Sequence, residues 1–336
     1  MNGIKERLRP MVRAVKAWWK RAADRRDCRK AFAYDLARYL GHSGAFGPVT
    51  RDARRAELVM AYHVIEKGLT MPKRRLGFGG WQLTRLMELA DAYVRDFGSE
   101  DNQCVQAVGV VRAYERLHAE AGWDESRDLA LWTKVHDFSR RHAAIPPAVE
   151  PHLTRQQLFA DRRAEFPRFA ASRRTVRHFA GPVAEETIRA AVELAMTAPS
   201  ACNRQHTRVH CVATPALRER LMELQSGCRG FGDDADKFLV ITADLGSERW
   251  WAERHDAWVN AGIFLMNLSY ALHWHEVAHC ILNWSVEPKR DRALRSLLSI
   301  PAAEEIIAVV ACGAPAEEMD IAASPRRPSA DILTVH

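Results

Sequence analysis

No stretch of this chain reaches the roughly 18 consecutive apolar residues that a membrane-spanning helix needs, although 47% of its 336 residues are hydrophobic. Cysteine is sparse: Cys28, Cys104, Cys202, Cys211, Cys228, Cys280 and Cys312 are odd in number and form no C-x-x-C pair. That spacing suits free thiols in a reducing cytoplasm better than a disulfide framework or a zinc knuckle. The N-terminus lacks the apolar core of a secretory signal, because Lys16, Lys20 and Arg21 interrupt it. A cytoplasmic protein is expected. The usual nucleotide and hydrolase signatures are missing too. There is no G-x-x-x-x-G-K-S/T, no G-x-G-x-x-G and no G-x-S-x-G, so a P-loop, a dinucleotide fingerprint and a nucleophile elbow are all unsupported.

What is present is unevenly spread. The 49 Lys and Arg against 42 Asp and Glu give +7. Residues 1–30 hold eleven bases and three acids, a local +8, which leaves the rest of the chain at −1. A near-neutral body does not offer the basic face that nucleic-acid binding requires. The arm, residues 1–30, reads as a basic amphipathic helix: Ile4, Leu8, Val12, Val15, Trp19 and Ala22 recur at three- and four-residue spacing. Pro10 fits a helix start better than an interior, so the helix is expected to begin there. Such a stripe can lie on an anionic membrane surface. Docking onto its own domain or a partner chain is the preferred reading.

Residues 31–150 read as a helical N-terminal domain. Its apolar stripes are separated by the Pro- and Gly-containing loop 71–80, and the Pro-rich stretch 145–151 serves as boundary. Beyond about residue 165 the texture changes. Helical patterns over 184–197, 215–224 and 256–273 alternate with short apolar runs at 207–213, 237–243 and 305–313, and the tail after that reads as irregular. Helices alternating with strands predict a sheet covered by helices.

His275-Glu-Val-Ala-His279 is a literal H-E-x-x-H, which on a helix presents two imidazoles to zinc with Glu276 as base. A zinc metallohydrolase is therefore an alternative, though no third ligand stands out downstream and a fortuitous cluster is preferred. The stronger constellation is distributed. Arg173-Arg-Thr-Val-Arg-His-Phe179 packs three guanidiniums and a hydroxyl into seven residues, chemistry suited to phosphate. Ala198-Pro-Ser-Ala-Cys-Asn-Arg-Gln205 is a small, polar loop before a strand, and Arg326-Arg327 adds a basic pair near the end.

These segments, in this order, resemble the nitroreductase family of FMN-dependent oxidoreductases. Residues 173–179 are similar to the family's R-R-S/T-x-R-x-F, residues 198–205 to its A-P-S-x-x-N-x-Q, and Ile300–Pro315 to its closing segment. Asp256–Gly262 is similar to its long central helix, and Cys280–Trp284 to the run beside the flavin ring. The resemblance covers residues 165–336 and implies an α+β fold: a mixed, mainly antiparallel sheet flanked by helices, preceded here by an all-helical region. It implies FMN held by Arg173, Arg174 and Thr175 at the phosphate and ribityl end, with Arg177 toward the pyrimidine edge. Ser200 and Asn203 would reach the site across a homodimer interface. Leu282 and Asn283 would lie at the ring, and Arg326 or Arg327 would complete the phosphate grip. It further implies two-step hydride transfer from NAD(P)H through flavin N5 to an organic acceptor such as a nitro compound or quinone, with no side chain assigned as catalytic. A non-catalytic flavin-binding interaction protein is a further alternative. Tyr62–Leu69 with Arg75–Gly79 resembles the helical region of long nitroreductase-like proteins. There His63, Glu66 and Lys67 could reach the flavin pocket, but a solvent-exposed helix turn is the preferred reading.

Overall fold

The computed structural model describes residues 2–47 and 49–336, with side chains described from Pro10 onward. Helix α1 (Asn2–His42) runs straight through Pro10. The expected start at Pro10 is thus corrected: proline there forfeits one backbone bond, and the helix-favouring Lys, Arg, Ala and Leu on either side carry the helix past it. The helix also crosses residue 30 without a break. The side chains of Ile4 and Leu8 in the proposed stripe lie outside the described residues.

Four helices follow: α2 (Arg51–Leu69), α3 (Gly80–Phe97), α4 (Asn102–Glu120) and α5 (Leu129–Arg141). Their starts are chemically marked. Thr50 Oγ1 accepts from Ala53 N at 3.1 Å ahead of α2, and Asp101 accepts from Gln103 N at 2.9 Å ahead of α4. The loop before α3 turns at Gly77, with φ +71° and Trp123 so close that a Cβ would meet its ring at 2.5 Å. Leu58, Ile65, Leu83, Leu86, Val111, Tyr114, Trp132 and Phe138 fill one core among these helices. Each contributes on the order of 2 kcal/mol by leaving water.

The chain then enters β1 (His152–Thr154), α6 (Arg155–Leu158) and α7 (Phe166–Ser172). Next come α8 (Glu185–Ala195), β2 (Thr207–Val212), α9 (Pro215–Leu224) and β3 (Lys237–Asp244). The end of the fold is α10 (Asp256–Trp274), β4 (Ala278–Asn283), α11 (Pro288–Leu298), β5 (Glu304–Gly313) and β6 (Glu318–Asp320). The main sheet has the order β2-β3-β5-β4, and every pairing is antiparallel. One face, with Phe238, Val240, Leu282 and Val309, packs on Leu221 of α9 and Leu294 of α11. The other, with Leu239, Ile241 and Val310, packs on Ile188 of α8 and Leu268 of α10. The tail is less irregular than its sequence suggests, because β6 pairs with β1.

Two contacts tie the chain just after α2 to segments that flank the sheet. His178 Nε2 donates to the Thr70 carbonyl at 2.7 Å, and Lys73 pairs with Asp234 at 2.9 Å. All seven cysteines are free. No helix among the described residues is long and apolar enough to cross a membrane.

Candidate functional site

The run after α7 is extended and lies along the outer edge of β4, where Val176 N donates to the His279 carbonyl at 2.9 Å. Val176 and Phe179 anchor the run in the core, which leaves the charged residues between and before them to face a cleft. His63, Arg173, Arg174, Thr175, Arg177, Ile281, Ala323, Ser324 and Arg326 are among the residues lining it, and its volume is ≈ 640 Å³. Arg173, Arg174 and Thr175, expected at the phosphate end, and Arg177, expected toward the pyrimidine edge, are therefore together, and Arg326 joins them from the tail.

The cleft is strongly cationic. Among the described residues, none of Lys67, Arg173, Arg174, Arg177 and Arg326 has a carboxylate within ion-pair distance. Burial and the neighbouring Arg326 hold the Arg173 guanidinium below its usual range. Burial, reinforced by Arg177, does the same to Lys67. Arg177 is 9% exposed, lies over the Phe231 ring at 5.9 Å, and has a buried Nε with no hydrogen-bond partner. Leaving such a donor unmet costs about 1–3 kcal/mol. A dianionic phosphate would neutralise the cations, and a ligand acceptor reaching Arg177 would satisfy its orphaned donor. The residues present fit FMN.

The helical domain forms one wall of this cleft. Glu66 is fully buried, which overturns the reading of residues 63–67 as an exposed helix turn. Its Oε1 accepts from Gln106 Nε2 at 3.0 Å and from Ser324 N at 3.1 Å, and its Oε2 lies 3.2 Å from His63 Nδ1. A carboxylate satisfied on both oxygens can be buried at acceptable cost. Glu150 Oε2 accepts from Ala323 N at 2.6 Å. Burial, then repulsion from Glu66, pushes the Glu150 carboxyl up to about 7. Asn102 Nδ2 and Gln103 Nε2 donate to the Arg326 and Pro325 carbonyls at 2.8 and 3.1 Å. Four side chains of the helical half and the chain leaving it thus pin the segment that carries Arg326. Of these only Glu66 was weighed in the sequence. Glu150 sits in a stretch read as a linker, and nothing in its spacing marks it.

Other sequence expectations change. Arg327 turns away from the cleft toward Asp52, at 3.8 Å, so Arg326 alone faces the proposed phosphate grip. Leu282 points into the core rather than the cleft. Strand side chains alternate faces, and Ile281, 40% exposed, is the one that faces the cleft. Asn283 is exposed beyond the cleft, and its carbonyl accepts from Gln225 Nε2 at 2.8 Å. Ser200 lines a different pocket, beside Pro199, Gln205, Asn260 and Phe264. Asn203 sits on the same loop, with Cys202, Asn203 and Gln205 all at positive φ. Asn260 Oδ1 accepts from Ala201 N at 2.9 Å and holds that strained loop in place. Within one chain this loop does not reach the arginine cleft.

The zinc geometry fails. Helix α10 ends at Trp274, His275 is its cap, and Glu276 has φ +56°, so the motif is split between a helix end and a strand. His279 is buried in β4 with Nε2 2.7 Å from Ser269 Oγ, while Glu276 pairs with Arg162 at 2.5 Å. No group of three metal-type side chains occurs among the described residues.

Residues 170–229, which contain the arginine run and the Ser200 loop, match the profile of the nitroreductase family. This segment is nitroreductase-like. The matched segment begins within α7 and is preceded by the helical region. No curated protein matches the chain in sequence. Among solved structures, a Desulfovibrio desulfuricans protein described as a nitroreductase in complex with FMN is 23% identical over 51% of this chain and 95% of its own, with a TM-score of 0.44. A Staphylococcus epidermidis protein described as an NAD(P)H:FMN oxidoreductase is 15% identical over 52% and 96%, with a TM-score of 0.46. A Bacillus subtilis protein described as a nitroreductase is 17% identical over 52% and 100%, with a TM-score of 0.44. These likenesses are distant.

Proposed function

We propose that this chain is an FMN-dependent oxidoreductase that takes reducing equivalents from NAD(P)H and delivers them to an organic acceptor, a nitro compound, a quinone or another metabolite. One observation carries the reading. A nitroreductase-family segment lines a cleft of unpaired cations in which a buried arginine donor has no partner. FMN, when bound, supplies a carrier that accepts a hydride from one substrate and passes electrons to the next. Arg173, Arg174 and Arg326 would hold its phosphate, with Thr175 adding a neutral donor and His63 closing the helical side. Arg177 would bring a positive charge to the more buried part of the cleft, where it favours an anionic ligand.

A second copy of the chain would complete the site by bringing in Ser200 and Asn203. The apolar residues Trp258, Val259, Ile263 and Met266, exposed along α10, support a homodimer. The seven free thiols support a cytoplasmic setting.

The visible spectrum of the purified protein tests this reading. Flavin absorbance, released as FMN on denaturation and bleached by NAD(P)H, is the expected result. A colourless protein that FMN does not reconstitute would overturn it. Bound FMN that neither NADH nor NADPH reduces would instead identify a non-catalytic flavin-binding protein.

A further inference from the structure

Helix α1 meets the body of the protein on one side only. Ala23, Asp24, Asp27, Cys28, Ala31 and Asp35 are its less exposed residues between positions 10 and 40. The contact is anchored where Asp35 accepts from Arg254 Nε at 2.5 Å and Nη2 at 2.9 Å, with His255 Nε2 at 3.1 Å. At 100° per residue, the apolar stripe falls on roughly the opposite side. Met11 is 62% exposed, Trp18 62% and Trp19 64%, with Val12 and Val15 about half exposed. The stripe therefore does not dock onto its own domain, which corrects that part of the preferred sequence reading.

The charges say what could cover it. Seven residues make nearly two turns, so Arg25 lies on the track of Met11 and Trp18, Arg26 on that of Val12 and Trp19, and Arg29 on that of Val15 and Ala22. The apolar stripe runs directly into three exposed arginines, within an arm whose net charge is +8. A second copy of α1 packed parallel and in register along this face would set arginine against arginine, and an antiparallel copy would set arginines against the tryptophans and valines of the stripe. A nucleic acid would match the charge but leave Met11, Val12 and Val15 without an apolar partner. A bilayer surface with anionic headgroups meets both demands. Indole rings settle at the level of the headgroups, valine and methionine enter the acyl boundary, and the flanking arginines and lysines gain counter-charge. We propose that the solvent-facing side of α1 is a docking surface for an anionic lipid bilayer, which holds the protein at the membrane without spanning it.

Flotation of the full-length protein with vesicles tests this. One set is phosphatidylcholine alone, the other phosphatidylcholine mixed with phosphatidylglycerol, each at low and high salt. The expected result is recovery with the phosphatidylglycerol vesicles on the order of tenfold greater than with phosphatidylcholine alone, and weakened by salt. Trp18→Ser with Trp19→Ser should lower that recovery about tenfold, and so should Arg25→Gln with Arg26→Gln and Arg29→Gln. All five residues are exposed, so an unchanged circular dichroism spectrum and melting temperature would show that the variants fold. Absence of flotation with either vesicle overturns the proposal, as does flotation equal in wild type and variants. Self-association that the tryptophan variants abolish, without vesicle binding, would assign the stripe to a second copy instead. Vesicle binding is read without reference to flavin, so a colourless protein that floats leaves this inference standing.

Discussion

Arg173 shows most directly how the cleft constrains its ligand. A half-buried guanidinium next to Arg326, with no carboxylate partner, is held below its usual pKa by burial and by like charge. An anion bound there removes both penalties. Arg173→Ala should therefore weaken FMN binding about tenfold to a hundredfold, the equivalent of one charge-assisted contact, and equilibrium titration of the apoprotein with FMN measures it. Unchanged affinity would move the phosphate elsewhere. Glu150 makes a different prediction. Its folded carboxyl titrates at about 7 against an ordinary value of 4.5, so between those values the folded state holds the extra proton. Its contribution to stability is present at low pH and is lost as pH rises through about 7. Glu150→Gln keeps an acceptor for Ala323 N without the charge. Its urea midpoint should exceed that of wild type at pH 8 and match it near pH 5; equal midpoints at both would refute the assignment.

Among the elements, the segment after β6 depends on helices far away in sequence. Ser324 N reaches Glu66 of α2, and the Pro325 and Arg326 carbonyls reach Gln103 and Asn102 at the start of α4. Glu66→Ala should free this segment, withdraw Arg326 and weaken FMN binding about tenfold, whereas Glu66→Gln, which keeps an acceptor for Ser324 N, should retain more. Limited proteolysis after residue 321 is the structural readout: faster cleavage in the alanine variant alone is expected, and equal cleavage in both would show that Glu66 does not pin the tail. The elements differ in how legible they were. The core strands β2, β3 and β5 are runs of β-branched and apolar residues between turn signals, and their periodicity marked them within a residue or two. β1 and β6 are three residues each and exist only because they pair with each other across more than 160 positions. His275–His279 is a fortuitous match, as the sequence reading preferred, for a related reason. Four-residue spacing means one helix face only if the helix continues, and α10 stops at Trp274.

For the whole molecule, the arm and the half that carries the arginine cleft are mechanically separable. The stripe of α1 faces away from the body, and the contact that holds the helix, Asp35 with Arg254, lies downstream of it. Deleting residues 2–22 should leave FMN content unchanged while removing vesicle binding; loss of flavin in that truncation would show that the arm supports the fold. The helical domain is not separable in this sense. It has its own apolar core, yet it lends His63, Glu66 and Glu150 to the cleft and its border.

The amino-acid order alone determined the alternation of helices and strands after residue 165, the position of the arginine run and the concentration of positive charge at the N-terminus. Those are local properties, written in periodicity, turn residues and composition. Tertiary structure decided which charges remain unpaired, which of Arg326 and Arg327 faces the cleft, and that Glu66 is buried against the tail rather than exposed on a helix. It also decided that Ile281, not Leu282, looks into the cleft, since the face a strand residue takes depends on what each side of the sheet packs against. At this cleft, burial and most of the pairing arise when segments distant in sequence meet, and its chemistry rests on both.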